Sequence, residues 1–346
     1  MQKTIIDRIH ECFTPLFDST TVITQFDDIL IVDMDRVCTR RYGVEGIDEL
    51  SYELGRLGNS KIMVFLFRDG ANMEYSGARG IIEKTIRQFN LTSETCYVYY
   101  PDYISIDNAT VIDHESWRLW EKQINQHIKD VPPAEPIFTQ HFAGLFARFN
   151  LYRLKLFRHL YDNYRTQSVL AFNTNHIMYS TRFRVEFADD IAWANTNLPV
   201  SLDTTSTSGW LRYQDALANI DNLYNQYFIE IVSETDPHSN TFFTEKTMKN
   251  FWLGKPFILY SGAGSLAYLR SKGYQTFGSV INESYDTMEN NYDRMTAIKH
   301  EIDRLAQLPI NTLQEMHQSL QPIFDHNRMC VKANILKFEP SSVWIN

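Results

Sequence analysis

The chain runs to 346 residues, more than a single hydrophobic core usually supports, so two domains are the default. With 44% apolar and 22% charged residues it has the composition of an ordinary soluble globular protein, and its 14% aromatic content fits a deep cleft as well as a large core. A formal net charge of −9 argues against binding a polyanion over the whole surface, though it leaves room for a local basic groove.

In chain order, an opening helix is followed by DDILIVDM, residues 27–34, which reads as a buried strand. GIDELSYELGRL has helical spacing, with Ile47, Leu50, Leu54 and Leu57 on one side. KIMVFLFRDG is a second strand closed by a turn signal. GARGIIEKTIRQF is a helix, TCYVYY a third short strand and ESWRLWEKQINQHI another helix. Such alternation predicts a parallel sheet covered on both faces. Three prolines in eight residues make KDVPPAEP, residues 129–136, the best candidate linker.

A second alternating unit follows. NLYRLKLFRHLYDNY is an amphipathic helix with Leu151, Leu154, Phe157, Leu160 and Tyr161 on one side, and SVLAF is a short strand. Residues 173–225 resist assignment; the Thr/Ser run at 204–208 reads as a loop. QYFIEIVSE is a strand, TEKTMKNFWLG a helix, PFILYSG a strand, GSLAYLRSKG a helix and YQTFG a further candidate strand. From residue 286 to 333 the pattern is helical, with an interruption near Pro309. No internal repeat or low-complexity segment is present. Two α/β halves leave a cleft between them as the natural ligand site.

The helix mouth at residue 244 carries the chemistry. Thr244 is a good N-cap, Gly254 sits where a helix C-terminal glycine belongs, and Pro256 stops continuation. Met248, Phe251 and Trp252 form the inward stripe, and Glu245 falls on the same line at the first turn. Lys246 stands beside it at a helix end that favours anions. One reading is a nucleotide site, with Lys246 and the helix end on phosphates and Glu245 on ribose hydroxyls. The other is an ordinary first-turn acid beside a solvated lysine.

The segment FFTEKTMKNFWLGKPFILYSG resembles the donor-binding motif of GT-B glycosyltransferases, especially the fucosyltransferase-like group. The resemblance implies that Glu245 holds the ribose and Lys246 the diphosphate of a nucleotide sugar. FTQHFAGLFARFNLYRLKLFRHLYDN looks like that group's strand, basic turn and helix at the start of the donor domain, which implies a phosphate contact for Arg153, with Arg148 behind it. A third block, GSLAYLRSKGYQTFGSVINESYDTMENNYDRMTAI, resembles the tail of phage- and virus-type glycosyltransferases. Asn282 replaces the first Asp of their Asp-Glu-Ser-Tyr-Asp, so no role is carried over there. The likeness covers roughly residues 137–310. The 135 residues before it match only as a generic acceptor-type α/β domain.

Other constellations compete. Asp33-Met34-Asp35 ends an apolar strand and could be a metal-binding Asp-x-Asp, or the nucleophile and acid of a haloacid-dehalogenase-like phosphatase. Arg36 stands where that phosphatase usually has Gly, and a polar strand end is the plain alternative. Asp69 and Glu74 are candidate general bases for an acceptor hydroxyl, although the Asp69-Gly70 turn explains Asp69 without chemistry. The Gly-rich run at 262–265 precedes a helix and could bring Gly262 near a diphosphate, but it lacks the full P-loop or dinucleotide fingerprint. His141, His176 and His238 show no metal-ligand spacing. Cys12, Cys38, Cys96 and Cys330 lack a C-x-x-C spacing, which argues against a disulfide framework or a zinc site. With no signal-peptide pattern and no run of 18 apolar residues, a cytoplasmic protein is expected, in the host cell if the source is a phage.

These readings combine into a GT-B-like glycosyltransferase with two facing Rossmann-like α/β domains and a cleft between them. Residues 1–135 form the acceptor-side domain, 136–310 the nucleotide-sugar donor domain, and 311–346 a C-terminal helix and tail able to pack back on the first domain. The donor is a UDP- or GDP-sugar. Lys246, Arg153 and helix N–H groups meet the leaving phosphate without an obligatory metal. By analogy the acceptor is a hydroxymethylated base in phage duplex DNA, with a surface or lipid-linked glycan as the alternative.

Overall fold

The computed structural model describes residues 23–34, 62–67, 78–100, 105–113, 136–146, 149–172, 187–200, 223–234 and 236–337. The opening helix, the helices expected at 46–57 and 115–128, and all but the end of the proline-rich linker lie outside them. The chain is mixed α/β and divides into two units, Met1–Leu119 with Ala333–Asn346, and Trp120–Lys332.

In the first unit, strands β1 (Ile23–Phe26), β2 (Ile29–Asp33), β3 (Ile62–Leu66), β4 (Cys96–Tyr100) and β5 (Thr110–Asp113) form a sheet in that spatial order. β1 pairs antiparallel with β2, and the other neighbours pair parallel. The β1–β2 hairpin, not expected from the sequence, has a tight turn made by Asp27 at φ 49°. Strands β2, β3 and β4 are buried along their whole length, as parallel strands covered on both faces must be. Leu30, Val32, Phe65 and Val98 pack with Ile81, Ile82 and Ile86 of helix α1 (Ala78–Phe89). Ile29, Ile31, Val64 and Tyr99 fill the opposite face.

The second unit has a wholly parallel sheet of β6 (Gln140–Phe146), β7 (Ser168–Phe172), β8 (Tyr227–Ser233) and β9 (Phe257–Tyr260), in the order β7-β6-β8-β9. Among the described residues its helices are α2 (Leu151–Tyr164), α3 (Ala188–Asn197), α4 (Glu245–Leu253), α5 (Ser265–Ser271), α6 (Asn291–Ala306), α7 (Ile310–Ser319) and α8, which begins here and runs over Gln321–Lys337. Residues 274–278, expected as a strand, are irregular and end in a turn. There Gln275 donates its N–H to Asn327 of α8 and Phe277 donates its own to Glu283, so side chains take the bonds a sheet neighbour would supply.

From β6 the chain steps through α2 to β7 on one side; from β8 it steps through α4 to β9 on the other. Right-handed crossovers in opposite directions put α2 and α4 on opposite faces of the sheet. The strand order therefore reverses between β6 and β8, and both helices start at the carboxyl ends of those parallel neighbours. α4 is held at its far end as well. Gly254 closes it in the left-handed conformation at φ 67°, and Arg328 of α8 donates Nε–H to the Trp252 carbonyl at 3.1 Å.

At the opposite, amino end of β9, Lys255 is 3% exposed. It donates to the Tyr227 carbonyl at 3.0 Å and lies over the rings of Phe138 and Tyr227. Glu230, the acid that acts on it, is already paired with Lys249 at 2.8 Å. Burial lowers the Lys255 ammonium to about 7. The unfolded chain keeps this proton to about pH 10, so over the interval above pH 7 it binds more protons than the folded one and stability rises with pH. Lys255→Met removes that burden. The mutant is expected to exceed the wild type at pH 7 by on the order of 1–3 kcal/mol in urea unfolding, with the gap narrowing towards pH 10.

Candidate functional site at the carboxyl edge of the second sheet

Apolar residues alternate with two acids along β8: Phe228, Glu230, Val232 and then Glu234 share one face. α4 returns antiparallel across that face. Lys249 meets Glu230, and one turn nearer the mouth Lys246 meets Glu234. Glu234 is 0% exposed. Its carboxylate accepts from the Thr244 N–H at 2.9 Å, the Thr244 hydroxyl at 2.8 Å, the Thr247 hydroxyl at 2.7 Å and Lys246 Nζ at 3.4 Å. Four donors offset the cost of taking this carboxylate out of water. Glu234 is not among the candidate residues read from the sequence. A second acid two positions past Val232 on the same face as Glu230, just before the Thr-Glu-Lys helix, was the signal that could have found it.

Thr244 caps α4 as expected, in extended conformation, with its hydroxyl 3.4 Å from the Lys246 N–H. The same hydroxyl receives Lys246 Nζ at 2.6 Å while donating to Glu234, so it links the ammonium to the buried acid. Met248, Phe251 and Trp252 are buried, as the periodicity predicts. Glu245 and Lys246 are instead half-buried at the mouth, with side chains 27% and 24% exposed and 3.5 Å apart. Burial acts to raise the Glu245 carboxyl. The charges of Lys246 and Lys249, with hydrogen bonds from its own N–H and from Thr244, outweigh it and hold the group below the ordinary carboxylate value.

Arg153, in the first turn of α2, is buried, and both Nε and Nη2 donate to the Ser233 carbonyl, at 3.1 and 2.9 Å. It is thus brought to the same edge but braces the end of β8, one residue before Glu234. Gly262 is not free to cradle a diphosphate: its N–H donates to the Ser239 carbonyl at 2.9 Å. A methyl group on it would meet the Ser239 carbonyl carbon and oxygen at 2.5 Å and the His238 carbonyl at 2.7 Å. Gly262→Ala is therefore expected to cost about 1–3 kcal/mol in urea unfolding, because backbone must shift to admit the side chain.

The first-turn N–H groups of Leu266 and Ala267 in α5 are likewise occupied, by Asp286 at 2.9 and 3.1 Å. Glu283 of the same block accepts from Thr276, Phe277 and Arg270. His141 is a core histidine bonded to the Leu308 carbonyl, and His238 is exposed on the loop after β8 beside Asn291. Asp33 is buried at the end of β2. Asp35, Asp69, Glu74, Arg148 and His176 lie outside the described residues.

A shallow hollow of about 730 Å³ lies elsewhere, lined by Arg270, Tyr274, Thr276, Glu283, Ile323 and His326. Its polar side chains are already engaged: Arg270 with Glu283, and His326 with the Gly273 carbonyl. Among the described residues no group of three or more His, Cys, Asp or Glu could hold a metal ion, and no helix is long and apolar enough to cross a membrane. Comparison of the chain with family models, curated proteins and solved structures found no match in any of the three.

Proposed function

We propose that the chain is a cytoplasmic glycosyltransferase of GT-B type, with two Rossmann-like domains, whose second unit binds a UDP- or GDP-sugar at the carboxyl edge of β6 and β8. The observation that carries this reading is the reversal of strand order between those two parallel strands. Ligands of open parallel sheets bind at such a point. Here it is bounded by the mouths of α2 and α4, which present Arg153, Glu234, Glu245 and Lys246.

Lys246 is the cation for the diphosphate. Glu245, ionised and partly exposed, accepts from ribose hydroxyls. Glu234 and Arg153 touch no ligand in this scheme; they fix the α4 mouth and the end of β8. In the transfer, the acceptor oxygen bonds to the anomeric carbon, the bond to the leaving phosphate breaks, and the charge gained by the nucleoside diphosphate falls next to Lys246. The acceptor proton passes to a general base, for which Asp69 and Glu74, outside the described residues, are the sequence candidates. A hydroxymethylated base in phage duplex DNA is the proposed acceptor, resting on the sequence resemblance.

A thermal-shift screen against nucleoside diphosphates and their UDP- and GDP-sugars tests the reading, since a ligand of the folded state raises the melting point. A saturable rise with one nucleotide series is the expected result. No rise with any of them would remove the assignment.

A further inference from the structure

Two buried polar atoms at the same edge have no hydrogen-bond partner: Arg294 Nε and Tyr260 Oη. Arg294 stands in the first turn of α6 and is 2% exposed; Tyr260 ends β9 and is 0% exposed. The guanidinium carbon lies 5.5 Å from the centre of the Tyr260 ring, and Tyr152 of α2 packs on that ring with centroids 5.3 Å apart.

The rest of the guanidinium donates only to neutral acceptors. Nη1 reaches the Met288 and Glu289 carbonyls, and Nη2 the Pro237 carbonyl at 3.0 Å and Asn291 Oδ1. Pro237 is three residues beyond Glu234, so Arg294 grips the same β8–α4 connection that shapes the Lys246 mouth.

Buried charges are ordinarily paired. Lys246 has Glu234 and Lys249 has Glu230, but Arg294 has no carboxylate among its hydrogen-bond partners. Asp286 and Glu289 act on it only through space, and the Asp286 carboxylate is spent on the α5 N–H groups. Burial pulls the Arg294 guanidinium below its ordinary value, yet arginine remains charged at any physiological pH.

We infer that Arg294 and Tyr260 form a phosphate subsite, in which an anionic oxygen of the ligand supplies the counter-charge that no hydrogen-bonded residue provides. Two unpartnered donors on neighbouring side chains call for an acceptor with several charged oxygens, as a phosphate has. A sugar hydroxyl would leave the charge unbalanced. The subsite rests on the reading of this edge as a nucleotide-sugar site, and adds to it a second cation 48 residues from Lys246 in the chain.

The test uses the full chain and four proteins: wild type, Tyr260→Phe, Arg294→Lys and Lys246→Ala. Inorganic pyrophosphate, UDP and GDP are titrated by calorimetry, with uridine and guanosine as uncharged controls. Removing an unpartnered buried hydroxyl costs the fold little, so Tyr260→Phe is expected to melt at or above the wild-type temperature. Its affinity for pyrophosphate is expected to fall about tenfold, and that of Arg294→Lys about a hundredfold, while nucleoside affinity stays the same. If Arg294→Lys does not fold, Tyr260→Phe decides.

Wild-type pyrophosphate affinity in Tyr260→Phe and Arg294→Lys, with loss only in Lys246→Ala, overturns the subsite and leaves the donor-site reading standing. Loss in the first two with retention in Lys246→Ala supports the subsite and removes the Thr-Glu-Lys reading. An absence of any phosphate-dependent binding to the wild type overturns both.

Discussion

Lys246→Ala is expected to weaken the binding of nucleoside diphosphates and their sugars by about 10–100-fold, the usual worth of a charge-assisted hydrogen bond to phosphate. The fold should suffer less. Of the four donors to Glu234, Lys246 Nζ is the most distant at 3.4 Å, and three shorter bonds remain when it is gone. Calorimetric titration beside urea unfolding separates the two effects. Unchanged affinity for both UDP- and GDP-sugars would show that Lys246 serves only to neutralise Glu234, and the nucleotide assignment would fall with it.

Glu234→Ala should do the reverse and strike the fold first. Without the carboxylate, the Thr244 N–H and the hydroxyls of Thr244 and Thr247 lose their buried acceptor together, and Lys246 loses its nearer acid. The expected loss is about 3–5 kcal/mol, in the range seen when one partner of a buried charge network is removed. For a unit of this size that is roughly a 10 °C fall in melting temperature. Glu234→Gln keeps one accepting oxygen but turns an amide N–H towards donors, so an intermediate loss is expected. A change below about 1 kcal/mol in either mutant would mean that water reaches this cluster and replaces the carboxylate.

The second unit was the more legible in the sequence. β7, β8 and β9 announce themselves as short apolar runs, and α4 by its Thr cap, inward stripe and terminal glycine, all of which are local signals, whereas a strand at β6 was expected only through the family resemblance. β1 and α3 were not legible. β1 is a four-residue edge strand whose turn is built on an Asp at positive φ instead of the usual glycine. α3 lies on the surface with Ala194 as its buried residue, so it carries almost no apolar period. The Thr-Glu-Lys triplet could be singled out in the sequence, but its purpose could not. Glu234 lies ten residues upstream of Thr244, and only the return of α4 over β8 brings the two into contact.

The two-ended grip on α4 bears on how a guest would be received. Glu234 locks its first turn, and Arg328 with the left-handed Gly254 locks its last. A rod pinned at both tips has little freedom to slide, tilt or unwind when a nucleotide arrives. Accommodation then falls to the flexible stem of a single lysine swinging off its tether, and the entropy lost on binding is that of one side chain instead of a whole segment.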